Sequence, residues 1–397
     1  MFLFGSSKNV TTYGVLIDIA SGTVGVAIVE SVPDNKTPTI VYAHRVTMRI
    51  SKTEVGKEEH LRRIRETLFS AVLTLSQEGL QKLSTYNARA KISHLYVSCS
   101  SPWSYTIARN VQYENDEPFK ITQSIIDDLI QSAENEILEH LQTKSAISEN
   151  GFEVVERATI DVTINDYPVH KPLHLKGTTL GLSHIAGVIP KEIIESVDEV
   201  QNKLFPDTEI RAHTYMLIMY CVMRDIFPSF RSLCIVDVTA EAMEFGVVEN
   251  NLLIENTFIS FGSSSFVREL METSSKPAND ILTILREIDN DTFEADAKMK
   301  ALIQTYTKHV ETALHDILTR RSLPSDFILT AQNPYEKLFA QILKSALTKV
   351  KSGEVRVIII DESIMTEIST SAYPDVYLAL AARFFHKLHG CGEMKTD

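Results

Sequence analysis

Two short stretches of this chain carry groups suited to anion chemistry. In residues 16–30 (LIDIASGTVGVAIVE), Asp18 is followed by Ser21, Gly22 and Thr23. A glycine-bearing turn lets bare backbone amides approach a phosphate. The segment recurs at residues 235–249 (IVDVTAEAMEFGVVE), which aligns without a gap and sets Asp237 on Asp18. Its turn reads Thr239-Ala240-Glu241 and lacks glycine, so the second copy is the poorer cradle. Either aspartate could serve simply as a turn former at a strand end. The matched pair favours residues inherited from a common site.

Each copy is an apolar run ending in Asp, a short stretch of small or polar residues and a returning apolar run, the pattern of a β-hairpin with an acid beside its turn. One hairpin per half predicts two similar domains facing each other across a cleft, where ligands usually sit. The elements that follow repeat as well. In the first half come a strand over 39–50, a helix over 57–83 with Leu61, Ile64, Leu68, Val72, Leu75 and Leu80 on one stripe, and a strand over 94–100. The second half offers a strand in NNLLIENTFISF, helices over much of 266–319 and a strand at DFILTA, 326–331. A helix over 335–349, a strand over 355–361 and a closing helix over 374–389 complete it. Both halves fit a mixed sheet with helices packed on it.

The region between the halves breaks the repeat. An amphipathic helix over 121–141 opens at Thr122 and carries Ile125, Leu129, Ala133, Ile137 and Leu141 on one face. A strand pair over 158–169 turns at Asn165-Asp166, a further strand spans 178–190, and Pro190 starts a helix over 191–204. These elements predict a small α+β unit inserted in the first half, with 144–151 as its mobile loop. The expected division is 10–110 and 191–230 for the first domain, 111–190 for the insert and 231–390 for the second domain.

Composition narrows the function classes. With 44% hydrophobic and 23% charged residues the chain is of ordinary globular type. A net charge of −13 argues against general nucleic-acid binding, which needs a basic face. Cys99, Cys221, Cys234 and Cys391 are scattered without a CxxC pair, a reducing-compartment pattern rather than a disulfide framework or zinc site. The apolar run at 215–222 falls far short of the ~20 residues of a membrane crossing. MFLFGSSK at the start reads as a disordered terminus rather than a surface anchor through Phe2, Leu3 and Phe4. Glu58-Glu59-His60 and Glu139-His140 lack metalloprotease spacing and read as solvated helix faces. Ser263, Ser264 and Ser265 after Gly262 read as caps for the next helix.

Two domains opening on Asp-containing hairpins resemble the actin, Hsp70 and sugar-kinase ATPase fold. The insert, ITQSIIDDLIQSAENEI followed by NDYPVHKPLHLKGTTLGLSHI, is similar to the SHS2-like subdomain of the FtsA and PilM type. The leader before the first strand is also similar to PilM-type openings. The fold implied is α/β: an actin-like (Hsp70/actin/FtsA) two-domain fold with duplicated mixed sheets flanked by helices, plus the inserted α+β subdomain.

The resemblance implies a nucleotide site, ATP with Mg²⁺, at three turns. Asp18 beside the metal with Ser21, Gly22 and Thr23 would form the first, with Ala20 where glycine is usual. Asp237 heads the second, with Glu241 toward the triphosphate and Gly262 in a neighbouring loop. Ala331-Gln332 stand where a Gly-Gly pair meets the adenosine. A carboxylate facing phosphate at ~4 Å with no cation beside it costs on the order of several kcal/mol at an effective dielectric of about 20. Micromolar binding totals only ~8 kcal/mol. The expectation is therefore a degenerate site, a pseudo-ATPase with no confident catalytic residue, metal ligand or cofactor. Asp18 and Asp237 would be the catalytic residues were it active. The function implied is a cytoplasmic adaptor peripheral to the inner membrane, recruiting the cytoplasmic tail of a membrane protein in type IV pilus assembly, with self-association possible. The alternatives are an FtsA-like cell-division protein and an active actin-like ATPase.

Overall fold

The computed structural model describes residues 10–51, 53, 56–143, 151–287 and 296–389. The N-terminal leader with Phe2, Leu3 and Phe4, most of the expected insert loop and Cys391 lie outside the described residues.

The first sheet begins with β1 (Thr12–Ile19), β2 (Thr23–Ser31) and β3 (Thr39–Thr47), an antiparallel run, each strand apolar and bounded by a polar break. The expected single helix over 57–83 is α1 (Lys57–Thr74), a π-helical turn at Leu75–Gly79 and α2 (Leu80–Tyr86). The wider turn brings Gly79 against Tyr42, where a Cβ would lie 2.9 Å from that ring. β4 (Ile92–Cys99) then pairs parallel with β1.

A strand runs across the expected boundary at residue 111. β5 (Tyr105–Lys120) is a long strand absent from the sequence-based expectation, because its second half, exposed in the structure, is polar and carries no apolar alternation. α3 (Gln123–Thr143) covers the apolar face of a sheet made with β6 (Phe152–Ile164), β7 (Tyr167–Pro168) and β8 (Lys176–Pro190), in the order β5-β8-β6-β7. Asn165 and Asp166 take positive φ at the hairpin turn, and Asn165 Oδ1 accepts from the Thr178 and Thr179 amides at 2.9 and 3.0 Å. Pro190 is the N-cap of α4 (Lys191–Leu204), which has the expected bounds. β9 (Glu209–Thr214), also absent from the sequence-based expectation, adds parallel to β4 and leads into α5 (Tyr215–Ile226).

The second sheet repeats the first. β10 (Leu233–Val238), β11 (Met243–Glu249) and β12 (Leu252–Ile259) run antiparallel. α6 (Ser263–Ser274), α7 (Ala278–Arg286) and α8 (Ala297–Arg320) follow. β13 (Asp326–Ala331) lies parallel to β10, α9 (Glu336–Val350) covers the sheet and β14 (Arg356–Ile359) extends it, giving the order β12-β11-β10-β13-β14. α10 (Glu362–Ile368), β15 (Thr370–Ser371) and α11 (Val376–His389) close the described chain.

The last two of these return to the first half. β15 pairs with β3, and α11 packs Leu378, Ala381, Ala382 and Phe385 on Leu16, Ala27, Val29 and Tyr96. The result is five layers. α1 and α4 cover the outer face of the first sheet, while α5 and α11 lie between the two sheets. α6, α8 and α9 cover the outer face of the second sheet. Among the described residues no helix is long and apolar enough to cross a membrane.

Candidate functional site

Strand alternation aims both aspartates at the middle layer. On β1, Val15, Ile17 and Ile19 face α1, so Leu16 and Asp18 face α11. On β10, Cys234, Val236 and Val238 face α6 and α8, so Ile235 and Asp237 face α5 and α11. Both carboxylates are fully buried. Each accepts from a hydroxyl at the matching place on its parallel neighbour: Ser98 Oγ to Asp18 Oδ1 at 2.8 Å, and Thr330 Oγ1 to Asp237 Oδ1 at 2.9 Å.

The other side of each aspartate differs. Opposite Asp18 on β2 is Gly25, and a Cβ there would lie 2.5 Å from Arg45 Nη2. The bare glycine lets Arg45 cross from β3 to Asp18 Oδ2, 2.9 Å away, while its other contacts hold Asp375 in a fork at 2.7 and 3.0 Å. Burial pushes the Asp18 carboxyl up and Arg45 opposes it. Opposite Asp237 is Glu244, a second buried carboxyl. Burial and then Glu244 hold Asp237 well above the usual carboxylate range, and burial lifts Glu244 itself to about 7.

The two turns touch. Ser21 Oγ donates to Thr239 Oγ1 at 2.9 Å and accepts from the Glu241 amide at 2.9 Å, and a Cβ on Gly22 would lie 2.4 Å from Ala240 Cβ. Thr239 Oγ1 also donates to the Ser101 carbonyl at 3.0 Å. The third turn joins them through Gln332 Nε2, which donates to Thr23 Oγ1 at 2.6 Å. Across the cleft the two turns meet at this point, and the direct hydrogen bond between Ser21 and Thr239 leaves no space for a phosphate between those two side chains.

Two further expectations change. Glu241 does have a cation: Arg268 donates from Nη1 at 2.7 Å and from Nη2 at 2.5 Å, and Ser265 Oγ adds a bond at 3.1 Å. The serines do not cap α6. Gly262 is the N-cap and no side-chain cap forms; instead the Ser263 and Ser264 amides donate to the Thr239 and Ala240 carbonyls, both at 2.9 Å. A Cβ on Gly262 would lie 2.4 Å from those oxygens, so glycine is what permits this approach. The helix-terminal amides that favour anions are occupied by the chain's own carbonyls, with Glu241 as the local anion.

His60 is not on a solvated face. Its Nε2 lies 2.5 Å from the Ser21 carbonyl and its ring meets the Trp103 edge with 5.0 Å between centroids. With Lys57, Phe261 and Arg268, His60 and Trp103 line a cavity of about 450 Å³ beside the joined turns. Arg45, Ser98, Glu244, Arg268 and Trp103 were not singled out from sequence. The available signal was the hairpin register, which sets Gly25 and Glu244 opposite the two aspartates. Among the described residues no group of three or more His, Cys, Asp or Glu could hold a metal ion.

Duplicated hairpins, paired aspartates and two helices between two sheets define the actin-like ATPase fold, and this chain has that fold. Its structure is similar to a chain of the PilM-PilN type IV pilus biogenesis complex, at 11% identity, with 96% of this chain and 99% of that chain covered and a TM-score of 0.59. Weaker likenesses include a Bacteroides thetaiotaomicron protein with actin-like ATPase fold and unknown function, at 11% identity, 94% and 95% coverage and TM-score 0.47. Another is the ethanolamine utilization protein EutJ from Carboxydothermus hydrogenoformans, at 9% identity, 96% and 94% coverage and TM-score 0.44. No family model and no curated protein matches the sequence.

Proposed function

We propose that this chain is a nucleotide-independent adaptor of the PilM kind, stationed at the cytoplasmic face of the inner membrane. There it holds the cytoplasmic tail of a membrane protein during type IV pilus assembly. The observation that carries the nucleotide-independent part is the direct bond between Ser21, Thr239 and the Glu241 amide, where a nucleotide-dependent relative would need space. The likeness to a chain of the PilM-PilN complex supports the adaptor part.

A groove of about 980 Å³ between α1 and α4 supports the tail. Leu61 contributes apolar surface over the buried Ile64, Leu68 and Ile193, and the lining sets five glutamates against Lys57, Arg62 and Arg65. Tails beside a membrane-spanning helix are rich in Lys and Arg on the cytoplasmic side, which matches an acidic groove.

Titration with Mg·ATP tests the first part. The melting midpoint should stay unchanged, because a ligand that binds the native state alone must raise it. A rise of several degrees, with phosphate release that depends on Asp237, would establish the ATPase alternative. A panel of basic, apolar tail peptides from inner-membrane pilus proteins tests the second. Binding should weaken about tenfold, ~1.4 kcal/mol, in the Glu192→Lys, Glu195→Lys variant. Equal binding by both proteins removes the tail from this groove.

A further inference from the structure

Histidines gather where the end of α11 meets the first sheet. His389, in the last turn of α11, lies against His94 of β4 with ring centroids 4.3 Å apart and planes 32° from parallel. Its Nε2 is 2.9 Å from the Tyr96 hydroxyl. One turn back, His386 sets Nε2 2.9 Å from the Asn35 carbonyl and Nδ1 2.8 Å from Ser31 Oγ. Between them Phe385 covers Tyr96, with 5.0 Å between centroids, and Gly14, where a Cβ would lie 2.6 Å from its ring. His213 of β9 stacks on Tyr96 at 5.5 Å and meets Phe384 edge-on at 5.0 Å.

The charges around these rings leave the stacked pair without a carboxylate of its own. Glu209 of β9 acts on both rings but is already taken by Arg211, at 2.7 Å, and Arg211 itself stands beside both imidazoles. His94 Nδ1 lies 3.6 Å from the same carboxylate, too far for a hydrogen bond. Glu156 of β6 is held by His213 at 2.8 Å and by the Thr214 hydroxyl at 2.7 Å. α11 adds Arg383, beside His386, and Lys387, which is tied to Asp225 of α5 at 2.8 Å. Neutral imidazoles pack well at this spacing. Two charged ones, with Arg211 as a third cation, repel where water is partly excluded. Burial holds His94 and His386 below the usual imidazole value, and burial with His94 as neighbour takes His389 down to about 4.

We propose that the last turn of α11 is an acid-released strap: protonating the stacked pair His94 and His389 lifts residues 385–389 off the first sheet and bares Gly14 and Tyr96. The start of the helix stays anchored through Asp375 in the Arg45 fork, and the bond from Lys387 to Asp225 is what opposes release. The direction in pH follows from the proton count. Seated, the two rings hold no added proton; released, they titrate near the ordinary value of about 6.5. The strap is fully held above that value and loosens as pH falls from there toward about 4. None of these residues lines the α1–α4 groove, so the strap does not rest on the adaptor reading.

Hydrogen exchange read by mass spectrometry on the full chain, corrected for the pH dependence of the intrinsic rates, tests it. Between about pH 7.5 and about pH 5, peptides covering 385–389 should lose protection about tenfold while those from α5 keep theirs. In the His94→Gln, His389→Gln variant that difference should vanish, the amide at 389 still able to bond the Tyr96 hydroxyl. The wild-type imidazole resonances give a reading that needs no variant: His94 and His389 should both titrate below about 6.5. The proposal fails if 385–389 keep their protection at the lower pH, or if the double variant remains as sensitive to acid. It fails equally if either ring titrates at or above the ordinary value, or if α5 loosens in step, which would make the acid effect a global unfolding.

Discussion

At the scale of single residues, the candidate site is a set of internal substitutions for a ligand's contacts. Glu241 was legible as a carboxylate in a turn, but its partner Arg268 lies 27 residues on, across a helix start that only the fold brings near. Removing Arg268 leaves Glu241 at the α6 terminus without its strongest donor. Arg268→Ala should cost about 2 kcal/mol in urea denaturation, and Arg268→Ala with Glu241→Gln should recover part of it. Glu244 makes a prediction in pH. Its folded pKa, about 7, is raised from the ordinary carboxylate value, so the folded protein keeps a proton that the unfolded chain releases. Stability is then lost as pH climbs from the ordinary range through about 7, and is free of this penalty below it. Glu244→Gln keeps a carbonyl for the Asn256 bond, which is 2.7 Å long. It should raise the melting midpoint at pH 8 and lose that advantage toward pH 5; an equal gain at both values would contradict a titrating Glu244.

At the scale of elements, the clear segments were those where burial dictates sequence. β13 was bounded by its apolar run to the residue, because every one of its positions is buried. β5 escaped detection for the opposite reason, and the π-helical turn because it shifts the register of a helix without changing its stripe. The hairpin turns were located correctly, yet their mutual contact is a property of neither alone. Gly22→Ala should therefore drive a methyl into Ala240 and destabilise by about 1–3 kcal/mol. Ala240→Gly removes the obstacle, so the double variant should recover most of the loss. Strict additivity in denaturant titrations would mean that the turns do not meet.

At the scale of the whole molecule, duplication and the insert were visible in the sequence, while the closed state of the cleft was not, since it rests on bonds such as Ser21 to Thr239, 218 residues apart. The halves share α5, buried against β4 and β9 on one side and β10 and β11 on the other. One cooperative unfolding transition is expected by calorimetry, its calorimetric and van't Hoff enthalpies agreeing; two resolved transitions would show independent halves. The position of α11 bears on synthesis. Ser31, near the start of the chain, is bonded at 2.8 Å to His386, 355 residues later, and Leu16, Ala27 and Val29 are covered by the same helix. Domains generally fold as units, and ribosomes add on the order of 5–20 residues each second. The first sheet thus emerges with one apolar face bare and keeps it so for tens of seconds, until the last described helix arrives. During that interval the nascent chain presents a chaperone-binding surface that the finished protein no longer has.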